Sequence, residues 1–288
     1  MYTLRFHPDP ADFERSARAF LLRHETENNL FFGIVGAIAR GDYARFWLAS
    51  LWRDGQLVGC ALQTPPFPVL VTGMPVGALR LLVDALLQRR PALEGINGST
   101  AMTEAFRELW LSRMDVTATT TMSQGLYELT RVCFPSRPAP GTMRPVCSGD
   151  VPLLEGWVED FHRETRGPAR AENRALLQSR IAEGSLFVWE FLGEPVAMAG
   201  WGGLTPEGVR INIVYTPPAQ RGQGYASVLV AQLSQQLLDG GRRRCFLYTD
   251  LDNATSNGVY RRLGCQLVGE GQVITFAPSA LQPAPVAP

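Results

Sequence analysis

Between residues 135 and 141 the chain reads PSRPAPG. Three prolines and a glycine in so short a run exclude both a helix interior and a central strand. The segment therefore predicts a break between two halves, a degenerate domain over 1–134 and a second domain over 142–276. The 288-residue length agrees, since two domains of about 140 residues is the natural expectation for such a chain. The last twelve residues, 277–288, form a Pro/Ala-rich tail with no means of building a core.

Charge narrows the range of partners. Lys+Arg and Asp+Glu both number 27, every basic residue being arginine, so no net field draws in nucleic acid or an anionic membrane. Without lysine, Schiff-base chemistry and a lysine general base are closed to the chain. Five scattered cysteines and three histidines, with no CxxC pair, argue against a structural zinc, any other metal centre and a disulfide framework. Met1 to Pro10 carries Arg5, His7 and Asp9 where a signal peptide needs an apolar run, and no stretch approaches the roughly 20 apolar residues of a span. A cytoplasmic location is expected.

The second half alternates helix and strand signals. A short strand at Thr142–Val146 precedes a helix from Ser148 to about Thr165, with Leu154, Trp157, Val158 and Phe161 at helical spacing. A helix over 171–183 follows, then a hairpin around Leu192-Gly193 and a strand at Val209–Tyr215. A helix from Gly224 to Leu238, an apolar strand at Cys245–Thr249, a helix from Asn253 to Leu263 and strands over Gln266–Phe276 complete the order. The first half echoes it. A hairpin turns at Asp54-Gly55, Gly77 to Arg90 is helical, and Asn97 to Ser99 opens a helix containing Phe106 and Trp110. An internal duplication accounts for this echo, and a chance sharing of elements by two α/β domains is the alternative.

One segment points to chemistry. The strand ending at Tyr215 is stopped by Pro217 and Pro218, and a glycine-containing loop, Arg221-Gly222-Gln223-Gly224-Tyr225-Ala226, runs into a helix. The first N–H groups of a helix lack backbone partners and lie at the positive end of its dipole. Glycines let a phosphate approach closely, and an arginine adds a bidentate cation. The Gly-Lys-Ser/Thr of a nucleoside triphosphatase and the third glycine of a GxGxxG fingerprint are both missing.

The loop resembles the R-x-x-G-x-G/A motif of the GNAT N-acetyltransferases. Asn253, Ser256, Tyr260 and Gly264 are similar to their N-x-x-S-x-x-x-Y-x-x-x-G-F segment, with Cys265 in place of the aromatic. The resemblance covers about residues 141–276. It implies an α/β (α+β) chain of tandem GNAT-like folds, each a mixed, mostly antiparallel sheet flanked by helices. It also implies acetyl-CoA as co-substrate and an amine as acceptor, a small molecule, amino acid or protein N-terminus, and it admits a homodimer. Longer-chain acyl transfer and a non-catalytic CoA-sensing module are the competing readings.

By the same resemblance, the backbone of Ile213, Val214 and Tyr215 pairs with the pantetheine arm. Residues Arg221, Gly222, Gln223, Gly224, Tyr225 and Ala226 take the pyrophosphate. Asn253, with Ser256, belongs to the cofactor site, and Tyr260 protonates the departing thiolate, a role suited to a phenol with pKa about 10. Glu190, Glu207, His162 and Glu164 are candidate bases, none singled out. Trp157, Trp189 and Trp201 are read as core more readily than as an acceptor pocket, and Arg242, Arg243 and Arg244 as a solvated turn more readily than as ligands of the CoA 3′-phosphate. In the first half, Val71 to Gly77 lacks the arginine and contains Pro75. That half is expected to bind CoA poorly and to shape an acceptor cleft or an oligomer interface.

Overall fold

The computed structural model describes residues 1–89, 93–165 and 173–279. Residues 171–172 of the expected helix and the tail from 280 onward lie outside them. The chain runs β1 (Tyr2–His7), α1 (Pro10–Leu22), α2 (Asn29–Ala39), β2 (Trp47–Arg53), β3 (Gln56–Gln63), β4 (Val69–Val71), α3 (Val76–Arg89), β5 (Gly95–Ser99), α4 (Thr100–Leu111) and β6 (Val116–Leu129). It continues through β7 (Thr142–Pro145), α5 (Val151–Glu164), α6 (Asn173–Ala182), β8 (Leu186–Phe191), β9 (Glu194–Gly202), β10 (Gly208–Tyr215), α7 (Tyr225–Asp239), β11 (Arg244–Asp250), α8 (Ala254–Arg262) and β12 (Gln266–Pro278). No helix among the described residues is long and apolar enough to cross a membrane.

A single break at 135–141 is the expectation from the prolines, but the compact units interleave in sequence. Unit 1 takes Met1–Phe20, Gly41–Ser123 and the chain from Gly271 onward; unit 2 takes Leu21–Arg40 and Gln124–Glu270. The proline segment lies within unit 2, where the carbonyl of Pro140 accepts the indole N–H of Trp189 at 2.9 Å. Prolines exclude regular structure locally, but they do not decide which sheet the flanking backbone completes.

The strands of the two units share one pairing pattern. In unit 1, β1, β2, β3 and β4 pair antiparallel in turn, β4 runs parallel to β5, and Gly271–Thr275 of β12 closes the sheet antiparallel to β5. In unit 2, β7, β8, β9 and β10 pair antiparallel in turn, β10 runs parallel to β11, and Gln124–Leu129 of β6 closes it antiparallel to β11. In each unit the strand beside the parallel pair thus comes from the other half of the sequence. The hairpins match as well. Asp54-Gly55 has φ 49° and 79°, Leu192-Gly193 has φ 52° and 83°, and in each hairpin the register shifts beside the turn. Consecutive positive φ values give the turn whose twist matches antiparallel strands.

Period-2 alternation sorts the unit 2 sheet into two faces. Phe187, Trp189, Val209 and Ile211 join the cluster that includes Val228, Leu229 and Leu233 of α7, together with Tyr127 and Leu129 of β6. Leu186, Val188 and Met198 pack with Leu154, Trp157 and Val158 of α5 and Leu177 of α6. Before α5, Ser148 lies in a short 3-10 turn rather than at a helix cap, and the Asp150 carboxylate takes the Cys147 N–H at 2.8 Å. In unit 1, Phe106, Trp110 and Phe276 stack in pairs with centroids 5.7–6.2 Å apart.

Helix α2 is the least expected member of unit 2. Asn29, fully buried, donates to the Tyr248 hydroxyl at 3.0 Å and accepts from Arg210 at 3.3 Å, while Glu25 accepts the Glu207 N–H at 2.8 Å. A Cβ at Gly33 would stand 2.8 Å from the Gly203 Cα, so glycine permits the close approach of α2 to the strand end.

Candidate functional site

In β10 the pairing with β9 gains one residue between Asn212 and Tyr215, and Ile213 takes φ 50°. That conformation costs a β-branched residue on the order of 1–3 kcal/mol and persists only where its surroundings impose it. The pairing of β10 with β11 is confined to Gly208–Arg210 against Arg244–Phe246. From Ile211 onward, the β10 edge on the β11 side has no strand partner among the described residues. The bulge therefore stands beside a split in the sheet, where backbone N–H and C=O groups can pair with an extended ligand.

The loop follows directly. Pro217 and Pro218 end the strand, and Pro218–Gln220 forms one 3-10 turn. Arg221 is extended, Gly222 has φ 79°, and Gly224, at the cap of α7, has φ 83°. The helix closes its first backbone bond from Val228 N–H to the Gly224 carbonyl at 3.2 Å, so the preceding N–H groups lie before the helical ladder. A Cβ at Gly222 would meet nothing within 4 Å, and one at Gly224 only the Ala139 Cβ at 3.8 Å. Open space, oriented N–H groups and the positive end of a helix of fifteen residues fit an oxyanion.

The side chains divide more sharply than the motif suggests. Tyr225 is buried in the core and packs against Phe191, centroids 6.0 Å apart, so at this position only the backbone faces the loop's chemistry. Gln223 is exposed and Ala226 half-buried. Arg221 is engaged: its Nη2 donates to both Glu164 carboxylate oxygens at 2.6 and 2.8 Å, and its Nε donates to the Thr216 carbonyl at 2.9 Å. Its guanidinium also lies 5.8 Å from the Tyr215 ring centroid. The Tyr215 hydroxyl donates to Asp160 at 3.2 Å; its pKa is raised, chiefly by burial and then by that carboxylate.

Helix α8 presents the second motif. Asn253 is its cap, its side-chain oxygen accepting the Ser256 N–H at 3.0 Å, while its backbone N–H donates to the Asp250 carbonyl at 3.0 Å, so its amide N–H2 is the group left for a ligand. Asn257, which the sequence did not single out, is more deeply used. Its oxygen accepts the Tyr127 hydroxyl at 2.9 Å, and its amide donates to the carbonyls of Asp250 at 2.9 Å and Asn253 at 2.8 Å. It thereby ties the end of β11 to the start of α8. An asparagine on the inward face of a short helix is the signal that could have marked it. Tyr260 is buried in the main cluster of unit 2. Burial raises the Tyr260 phenol pKa well above its ordinary value.

The carboxylates considered as bases are all paired. Glu190 is held by Arg144, Glu207 by Arg243 and Arg244, and Glu164 by Arg221. The same contacts engage Arg243 and Arg244, which also spans to Glu128 at 3.3 Å. His162 lies in the last turn of α5 with its ring 5.6 Å from that of Phe161. Trp157 and Trp189 are core residues, and Trp201 packs at the edge of the cluster behind α7. Among the described residues no group of His, Cys, Asp and Glu is placed to hold a metal ion.

The matching place in unit 1 is filled. A Cβ at Gly77, in the first turn of α3, would lie 2.3 Å from the Tyr2 ring, and the Met74 N–H points to the Met102 sulfur at 3.4 Å. Pro75 has no N–H to offer.

Residues 152–265 match the model of the Acetyltransferase (GNAT) family. Three solved structures are similar along nearly the whole chain. A Drosophila protein shares 14% identity at a TM-score of 0.69, covering 96% of this chain and 99% of its own. A GCN5-related N-acetyltransferase from Sphaerobacter thermophilus shares 18% at 0.64, covering 96% and 95%. A tandem GNAT protein from the clavulanic acid biosynthesis pathway shares 13% at 0.56, covering 98% and 100%. At such identities the likeness is one of fold. No curated protein matches the sequence significantly.

Proposed function

We propose, from the match of residues 152–265 to the Acetyltransferase (GNAT) family, whose members transfer acyl groups from acyl-CoA, that this chain moves an acetyl group from acetyl-CoA to a primary amine. The acceptor is a small molecule, an amino acid or a protein N-terminus. The observation that carries the reading is the succession of a bulge, a sheet split and a glycine loop at a helix N-terminus within residues 211–226.

In this reading the pyrophosphate lies on the N–H groups of Gly222, Gln223, Gly224, Tyr225 and Ala226, with Arg221 as the fixed cation. The free edge of Ile213, Val214 and Tyr215 takes the pantetheine arm in the manner of an added strand, and Asn253 with Ser256 borders it. That pairing sets the thioester carbonyl beside the bulge, where backbone N–H groups can stabilise the oxyanion formed on attack. The amine attacks the carbonyl carbon in a ternary complex, its nitrogen gives up one proton to solvent water, and the C–S bond breaks, releasing the thiolate. Tyr260, kept protonated by burial, delivers its proton to the sulfur. Most of the rate then comes from placing amine and thioester together.

Calorimetry with acetyl-CoA tests the site. Wild type is expected to bind in the micromolar range, and an Arg221→Ala, Gly224→Glu double variant to lose about 100-fold or more, because a carboxylate then sits at the helix N-terminus in place of a cation nearby. Equal binding by the two proteins would remove the loop from the cofactor site.

A further inference from the structure

We propose that Glu164 is a built-in competitor for the pyrophosphate: its carboxylate occupies the guanidinium of Arg221, and acetyl-CoA must displace it to engage that cation. The inference rests on the cofactor reading above and adds a residue that sets the affinity of the same site.

Three observations support it. Both Glu164 oxygens accept from a single Arg221 nitrogen, at 2.6 and 2.8 Å, so the carboxylate holds the cation much as a phosphate oxygen pair would. Arg221 is also held independently of Glu164, by the Thr216 carbonyl at 2.9 Å and against the Tyr215 ring at 5.8 Å. Releasing the carboxylate therefore leaves the guanidinium beside the loop. Glu164, finally, is the last residue of α5, on a different element from the loop, and α5 has a second tie to the end of β10 through Asp160 and Tyr215. It can leave Arg221 without unseating the helix.

The same geometry argues against Glu164 as the amine's base. Its carboxylate is turned onto Arg221, at the phosphate end of the motif.

Both side chains are about half exposed, at 47%, so solvent screens the pair and the effect is modest. Glu164→Gln keeps the shape and removes the charge. It is expected to tighten acetyl-CoA binding by about threefold, in the range of an exposed ion pair. In an Arg221→Ala background the same substitution should leave the affinity unchanged, since the contested cation is gone. A merely structural role for Glu164 would not depend on Arg221 in this way.

The experiment is a four-protein calorimetric cycle with acetyl-CoA: wild type, each single variant and the double. Tighter binding by Glu164→Gln that disappears without Arg221 supports the competition. Weaker or unchanged binding by Glu164→Gln overturns it, and so does a gain that persists in the Arg221→Ala background. Failure of all four proteins to bind acetyl-CoA would overturn the cofactor reading and the competition with it. Binding by wild type that is indifferent to Glu164 would overturn the competition alone.

Discussion

A fragment of residues 135–288, cut at the proline segment where a domain boundary is expected, should fail to fold. It lacks two parts of unit 2, Leu21–Arg40 and Gln124–Phe134. The missing strand carries Tyr127 and Leu129, both buried in the main cluster, and it closes β11 over six residue pairs. Truncating one such side chain costs about 3–5 kcal/mol, and a domain has only about 5–15 kcal/mol to lose. Deleting the strand also bares the edge of β11, an invitation to aggregation. The loss of Asn29 would leave the Tyr248 hydroxyl without its donor. Far-ultraviolet circular dichroism on heating should show no cooperative transition for the fragment, against a sharp one for the full chain. A fragment that melts cooperatively and binds acetyl-CoA would show that β6 and α2 are dispensable to unit 2.

Replacing Tyr260 with phenylalanine should cut kcat on the order of 10²-fold or more, the usual worth of a general acid. The acetyl-CoA affinity should stay within about twofold. The ring remains in its cluster, so the fold should persist; only the proton donor is removed. The pH profile adds an independent readout. An acid works while protonated and fails as pH rises through its pKa, and burial raises the pKa of this phenol above the ordinary value of about 10. Tyr260 should therefore impose no basic limb on kcat below about pH 10. Unchanged turnover in Tyr260→Phe would return the residue to the role of a core aromatic, and stopped-flow release of CoA would be the measurement that decides it.

Much of the candidate site was legible in the residue order because its signals are local. Pro217 and Pro218 stop a strand whatever surrounds them, Gly222 and Gly224 take positive φ at little cost, and Asn253 caps the helix it precedes. The hairpin turns Asp54-Gly55 and Leu192-Gly193 were legible for the same reason, and with them the echo between the halves.

What the sequence could not determine depended on partners far away along the chain. Which strand completes each sheet is decided by edge pairing and burial, and a strand's own residues do not name its neighbour; Gln124–Leu129 and Gly271–Thr275 each close the sheet of the other half. Nothing near Asn29 announces Tyr248 or Arg210, which lie 219 and 181 positions on. Nor does the loop motif reveal that Arg221 is already held by Glu164, since an ion pair between elements 57 positions apart forms only after both have been placed. The sequence by itself determined most elements, the turns and the glycine conformations of the loop. The tertiary structure alone decided how the sheets are completed and which charges are engaged, because long-range contacts follow from the packing of the whole unit.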